Sequence, residues 1–247
     1  MLNIQTMNKN IIILLCISLS LFLSNCDSGE TGKKSDSTEI ILEKKGDTLN
    51  LLTDIAPLLE DGDINAVIEI PAGTLDKWEL DKSTGEIRWE LIDKKPRIVK
   101  YIGYPGNYGM VPRTLLSKEK GGDGDPLDIL VLGPPVERSH ILKCKIIGVL
   151  YLQDSGEQDD KLIAVSSNSP MYGVNSIDEL NNNYKGITEI VQLWFTNYKG
   201  PGKIESKGFG NKKIAIGILT EAINEYQLND TKHNNVYNKY RFSAKAK

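Results

Sequence analysis

Histidine is nearly missing from this chain. His140 and His233 are its whole supply among 247 residues, and neither has a partner at the spacing of a zinc site. Zinc chemistry is thereby set aside, and both histidines default to structural or exposed positions. Cysteine is as scarce. Cys16 and Cys26 lie near the N-terminus and Cys144 stands alone in an apolar run, so there is no disulfide framework and Cys144 reads as a buried, inert thiol. An excess of positive charge is also absent: the formal net charge is −3, which gives no basis for nucleic acid as a partner. No P-loop pattern and no base-stacking aromatic cluster occur, which disfavours nucleotides as substrates. Internal repeats are lacking. The uncharged stretch Ile11–Leu23 is thirteen residues, short of the about 20 that a membrane-spanning helix needs.

That stretch, preceded by a polar start containing Lys9, fits the apolar region of a secretory signal. Its end, Leu23-Ser24-Asn25-Cys26, resembles a bacterial lipoprotein signal, in which the cysteine is lipidated and becomes the new N-terminus. Asn25 departs from the usual small residue before the cysteine. The resemblance implies a signal segment over residues 1–26, a lipid anchor on Cys26 and export to the cell envelope, on the periplasmic side or at the cell surface. An uncleaved anchor and an ordinary secretory signal are the competing readings, and an unused signal would leave the chain in the cytoplasm. Residues 27–61 are rich in Ser, Gly, Lys, Asp, Glu and Thr and read as a flexible tether, with an apolar patch at Leu49–Leu59 available to pack onto a domain.

The remainder, residues 62–247, has the apolar content of one globular domain able to build a core without staples. Ile64–Ile70 is a β-branched run ended by Pro71 and predicts a strand. Lys77–Leu80 and Glu86–Leu91 flank the turn-rich Asp81-Lys82-Ser83-Thr84-Gly85 and predict a hairpin. Ile129–Leu132, Ile141–Leu152 and Leu162–Val165 predict further strands. Ser176 is placed to cap a helix, Ile187, Ile190, Val191, Leu193 and Trp194 recur at helical spacing, and Ile214–Ala222 predicts a second helix before a polar, loose tail from Asn229. Short strands followed by two helices give an α+β class, mainly β, with a closed or nearly closed sheet.

The chemistry concentrates in Asp123-Gly124-Asp125-Pro126-Leu127-Asp128. Two bare carboxylates about 6 Å apart repel by roughly 3 kcal/mol at an effective dielectric of about 20. Three converging would call for a cation between them, and carboxylate oxygens suit Mg²⁺ or Mn²⁺. On its own the run reads equally well as a surface turn. An EF-hand loop is excluded, because its twelfth position would be Pro134. Asp154 and Asp159 add carboxylates in a loop between strands, and Lys77, Arg97, Lys161 and Lys199 add cations near element ends. Metals plus cations are what a polyanionic substrate demands, since phosphoryl transfer is catalysed chiefly by positioning and charge neutralisation.

Six stretches, in order over residues 64–225, resemble the soluble inorganic pyrophosphatases of the first family. They are Val67–Ala72, Lys77-Trp78-Glu79-Leu80-Asp81, Tyr104-Pro105-Gly106-Asn107-Tyr108-Gly109, Gly122–Leu130, the spacing Asp154-x4-Asp159-x-Lys161, and Tyr198-Lys199. The resemblance implies a small five-stranded OB-like barrel with two flanking helices, and Mg²⁺-dependent hydrolysis of pyrophosphate with several ions per site. Asp123, Asp128, Asp154, Asp159 and Glu69 would hold the metal, and Asp125 would be the general base. Lys77, Arg97, Tyr108, Lys161, Tyr198 and Lys199 would hold phosphate oxygens, while Glu79 and Tyr104 would line the site. Arg97 has Lys94, Lys95 and Lys100 as neighbouring stand-ins, and Asp160 is the alternative to Asp159. Gly208–Lys213 resembles the longer, eukaryote-like members, which leaves a homo-oligomer of unspecified size. A broader phosphoanhydride hydrolase and an OB-type binding module without turnover are the rival functions.

Overall fold

The computed structural model describes residues 48–244 except Gly121, with side chains described as far as Thr231 and not for Lys120. The signal segment, Cys26 and residues 27–47 of the tether lie outside the described residues. In chain order the strands are β1 (Ile64–Ile70), β2 (Trp78–Asp81), β3 (Glu86–Trp89), β4 (Leu91–Ile92), β5 (Lys95–Pro96), β6 (Asn107–Met110), β7 (Asp128–Leu132), β8 (Ile141–Asp154), β9 (Glu157–Gln158), β10 (Lys161–Ser166) and β11 (Ile204–Asn211). The helices are α1 (Ile177–Asn183), α2 (Ile187–Asn197) and α3 (Lys212–Ala244).

Five strands pair in a circuit, β1–β6–β7–β10–β8 and back to β1. The seam is short: β1 meets β8 through Ile64–Val67 and β6 through Val67–Ile70, so the OB-like barrel is not strictly closed. The long β8 makes this possible, pairing with β1 at its start, β10 in its middle and β11 at its end. Among the described strands only β7 and β10 run parallel, with Leu162 opposite Ile129.

Strand alternation sends successive side chains to two cores. Leu130, Leu132, Ile163 and Val165 face one, with Trp194 and Phe195 of α2; Ile129, Val131, Leu162 and Ala164 face the other, with Ala215, Leu219 and Ala222 of α3. Both faces are thus covered by helices, which is why these strands read as continuous apolar runs rather than alternating ones. Gly109 is required by contact: a Cβ there would stand 1.9 Å from the Val67 carbonyl oxygen, so β6 lies against β1 only without a side chain. Cys144 is buried, and burial pushes its thiol well above the usual range, as an inert core residue requires.

The helices differ from expectation in number and length. The first predicted helix is two, because Gly186 adopts a φ of 91° between α1 and α2. Ser176 does cap α1, its hydroxyl accepting the Glu179 N–H at 3.1 Å. From Asn229, where a loose tail was expected, the backbone stays helical to Ala244; no glycine or proline follows Gly217 to stop it. Leu51 and Ile55 are buried with Val67 and Met110, so the domain's packing reaches back to Leu51, within the segment expected as tether.

Candidate active site

The acidic run is a pinned turn. Gly124 takes a φ of 85°, a conformation glycine adopts without strain, and the Asp125 N–H donates to the Asp123 carboxylate at 2.8 Å. Gly124 N–H donates to the Leu116 carbonyl, and the Leu127 N–H to the Thr114 hydroxyl at 2.9 Å. Leu127 then enters the core and Asp128 opens β7.

The parallel register does the next step. Leu162 opposite Ile129 brings Lys161, at the start of β10, beside Asp128. The Lys161 ammonium, buried with its side chain 4% exposed, is bonded to Asp128 and, at 2.5 Å, to Asp159. Burial favours the neutral amine, but the two acids outweigh it and hold the ammonium above its ordinary range. Asp160 is spent differently: its carboxylate accepts the Leu152 N–H at 3.0 Å and the Gln158 amide at 2.7 Å, which fixes the β8–β9 turn. Of the two neighbours, Asp159 is the one turned toward Lys161.

Asp123, Asp154 and Asp159 line one cleft with Lys118 and Glu157. Asp154 also lines a second, cationic cleft with Arg97, Lys100, Tyr198, Lys199 and Lys203. Lys199 is ion-paired with Asp154; burial opposes its charge, and Asp154 more than restores it. Glu69 on β1 is buried and accepts the Leu80 N–H at 2.8 Å. Burial, opposed by Lys77 and reinforced by Asp128, raises its carboxyl to about 7. Burial also raises Asp123 and Asp159, and the charge of Asp128 adds to both. Glu79 is raised by burial, with Lys77 opposing and Glu90 and Asp125 adding to it.

Three phenols complete the wall. Tyr104, Tyr108 and Tyr198 are kept neutral by burial, so each offers a hydroxyl rather than a charge. The Lys77 and Lys161 ammoniums lie 5.7 and 6.0 Å from the Tyr108 ring centre. Tyr198 stacks on Trp194 at 4.6 Å, with Tyr104 at 4.3 Å from the same indole.

Arg97 reaches the cationic cleft, but its Nη1 donates to both carboxylate oxygens of Glu90, at 2.8 and 2.9 Å. Sequence reasoning missed Glu90, and also Lys82, which donates to the Gly124 carbonyl at 3.0 Å and pairs with the Asp125 carboxylate. Nothing about a lysine in a turn marks it for such a contact. Trp194 was legible only as helix core.

Among the described residues no group of three acids, histidines or cysteines is already tight enough to hold a metal ion; Lys82, Lys161 and Lys199 are paired with the acids instead. The donor set itself fits a hard divalent cation: carboxylate oxygens, mutually repelling and partly buried, with no imidazole or thiol nearby. An OB-like barrel with a carboxylate cleft adjoining a cationic one, on a shared aspartate, defines a class of protein that handles a polyanion. Comparison with known proteins narrows the class. The family model described as inorganic pyrophosphatase matches residues 66–227. The chain is 37% identical to the inorganic pyrophosphatase of Campylobacter jejuni over 175 residues, covering 66% of this chain and 92% of that one. In solved structures it is similar to the type I inorganic pyrophosphatase of Toxoplasma gondii, with a TM-score of 0.70, 25% identity and coverage of 74% and 90% of the two chains. The Helicobacter pylori inorganic pyrophosphatase is 35% identical, with a TM-score of 0.57 over 67% of this chain and 94% of that one. The chain belongs to the inorganic pyrophosphatase family.

Proposed function

We propose that this protein hydrolyses inorganic pyrophosphate to two phosphates with Mg²⁺, Mn²⁺ being a workable substitute. The observation that carries the reading is the pair of clefts joined at Asp154, one acidic and one cationic, on the family's barrel. In this reading Glu69, Asp123, Asp128, Asp154 and Asp159 hold the metal. Divalent cations in such a site neutralise phosphate oxygens and make a water more acidic. Lys77, Arg97, Lys161, Lys199, Tyr108 and Tyr198 bind phosphate oxygens, Arg97 exchanging its bond to Glu90 for one to substrate. Glu79 and Tyr104 line the site. Water attacks one phosphorus, its proton passes to Asp125, and the bond from that phosphorus to the bridging oxygen breaks to release the second phosphate.

The purified chain given Mg²⁺ and pyrophosphate is expected to release phosphate, and EDTA to stop the release. Nucleoside triphosphates and short polyphosphates assayed alongside fix the substrate range. A folded, metal-binding protein without turnover on pyrophosphate would leave a binding module instead.

The location we propose is the cell envelope, through lipid on Cys26 after removal of residues 1–25, where the activity would recover phosphate from external pyrophosphate. No helix among the described residues is long and apolar enough to cross a membrane. Labelled palmitate fed to cells is expected to mark the wild-type chain and not Cys26→Ser. Equal membrane retention of both, with neither labelled, overturns the anchor.

A further inference from the structure

We propose that Arg138 is a positioning residue for this site, acting through a row of side chains it forms with Trp78 and Trp89; the proposal rests on the pyrophosphatase reading above. The β2–β3 hairpin, which carries Glu79 and follows directly on Lys77, is a two-stranded sheet of its own, outside the barrel's ladder. Its hold on the barrel therefore rests on separate contacts: the Leu51 N–H on the Gly85 carbonyl, Lys82 on the acidic turn, and the Glu69 carboxylate on the Leu80 N–H. A further set runs through Arg138.

Arg138 lies in the connection from β7 to β8, and that connection is tied to β1: Ser139 N–H donates to the Ile68 carbonyl at 2.7 Å, and Ile68 N–H to the His140 carbonyl at 3.0 Å. From this fixed base the Arg138 Nε donates to the Glu69 carbonyl at 3.1 Å. Its guanidinium carbon sits 4.0 Å from the centre of the Trp78 ring. Trp78 stacks on Trp89, its cross-strand partner, at 5.0 Å and 25°. The Trp89 indole N–H then donates to the Arg97 carbonyl at 3.0 Å, which also accepts the Lys77 N–H at 3.0 Å.

The row thus touches the backbone of Glu69 at one end and of Arg97 at the other, with Lys77 and Glu79 flanking Trp78 in the chain. Strand periodicity places Trp78 on the face opposite those two neighbours, so the row sets their position without entering the site. The Trp78 indole N–H is buried with no hydrogen-bond partner among the described residues. Its ring is therefore held there for its flat face, at the cost of an unmet donor.

Steady-state kinetics of the full chain test this. Arg138→Met is expected to raise KM for pyrophosphate about tenfold with kcat changed less than about threefold, since Lys77 binds phosphate in ground and transition states alike. Arg138→Lys keeps the charge without the flat fork and is expected to recover only part of the KM. Tryptophan emission should shift in both variants, reporting the loosened Trp78–Trp89 pair. An unchanged KM in both variants, with or without a fall in Tm, overturns the positioning role. If wild type itself does not turn over pyrophosphate in the same assay, the functional reading fails first and is distinguished by that control.

Discussion

Asp125→Asn is expected to lower pyrophosphate turnover by about 10²- to 10⁴-fold, the range for loss of a general base, with the melting temperature nearly unchanged. Asparagine keeps the size and the turn, since it is the Asp123 side chain and the Asp125 backbone that bond within the run. The Asp125 side chain is 53% exposed and meets the ammonium of Lys82, itself half-exposed. Exposed pairs of this kind contribute little, about 0–1 kcal/mol. Stability and activity therefore separate at this residue. Asp128→Asn offers the contrast, because it also removes a partner of the buried Lys161 and should cost stability as well as rate. Phosphate release under saturating substrate and Mg²⁺, set beside thermal melts of the same samples, reads both quantities. Turnover within tenfold of wild type for Asp125→Asn would remove the base assignment and direct attention to Glu69 or a solvent water.

The parts of this site that the sequence discloses are those set by short-range physics. Asp123, Asp125 and Asp128 lie within six residues, and Gly124 and Pro126 shape the turn locally. Four of the five barrel strands are legible from β-branched and apolar runs such as Ile64–Ile70 and Ile141–Leu152, whereas β6, Asn107–Met110, carries no such run. What stays hidden depends on long-range register. The bond of Lys161 to Asp128 follows from a parallel pairing across thirty-three residues, which no local pattern encodes. Glu90 meets Arg97 because the chain between them folds into the β4–β5 hairpin, whose two central residues, Asp93 and Lys94, take φ of 51° and 63°. Asn-Gly or Asp-Gly is the usual signal for such a turn, and Asp-Lys does not announce it. Lys82 reaches Gly124 and Asp125 only because the hairpin folds back over the acidic turn. The extension of α3 is the opposite case: a polar sequence without glycine or proline reads as loose, yet nothing in it ends a helix.

Glu69→Gln is expected to stabilise the metal-free protein while it lowers turnover. The carboxyl ionises near 4.5 in an unfolded chain and near 7 in the fold, chiefly because burial penalises its charge. Between those values the folded chain binds more protons than the unfolded one, so stability declines as pH rises through that window and stays lower above it. The full difference corresponds to about 3 kcal/mol, or roughly 6–12 °C in Tm for a domain of this size. Glutamine keeps the shape and carries no charge, so in EDTA at pH 8 the variant should melt higher than wild type by about that amount. At pH 5 the folded wild-type carboxyl is itself neutral, and the gap should shrink to about 1 kcal/mol. The pH dependence is the diagnostic feature, because a simple packing gain would be the same at both values. Equal melting of the two proteins at pH 8 would mean that Glu69 ionises in the fold without penalty. The charge that costs stability without metal is the charge a divalent cation would use, with Leu80 N–H and Lys77 already arranged to receive it. Adding Mg²⁺ should therefore raise the wild-type Tm more than that of the variant, since stabilisation by a ligand grows with the logarithm of its affinity for the folded state.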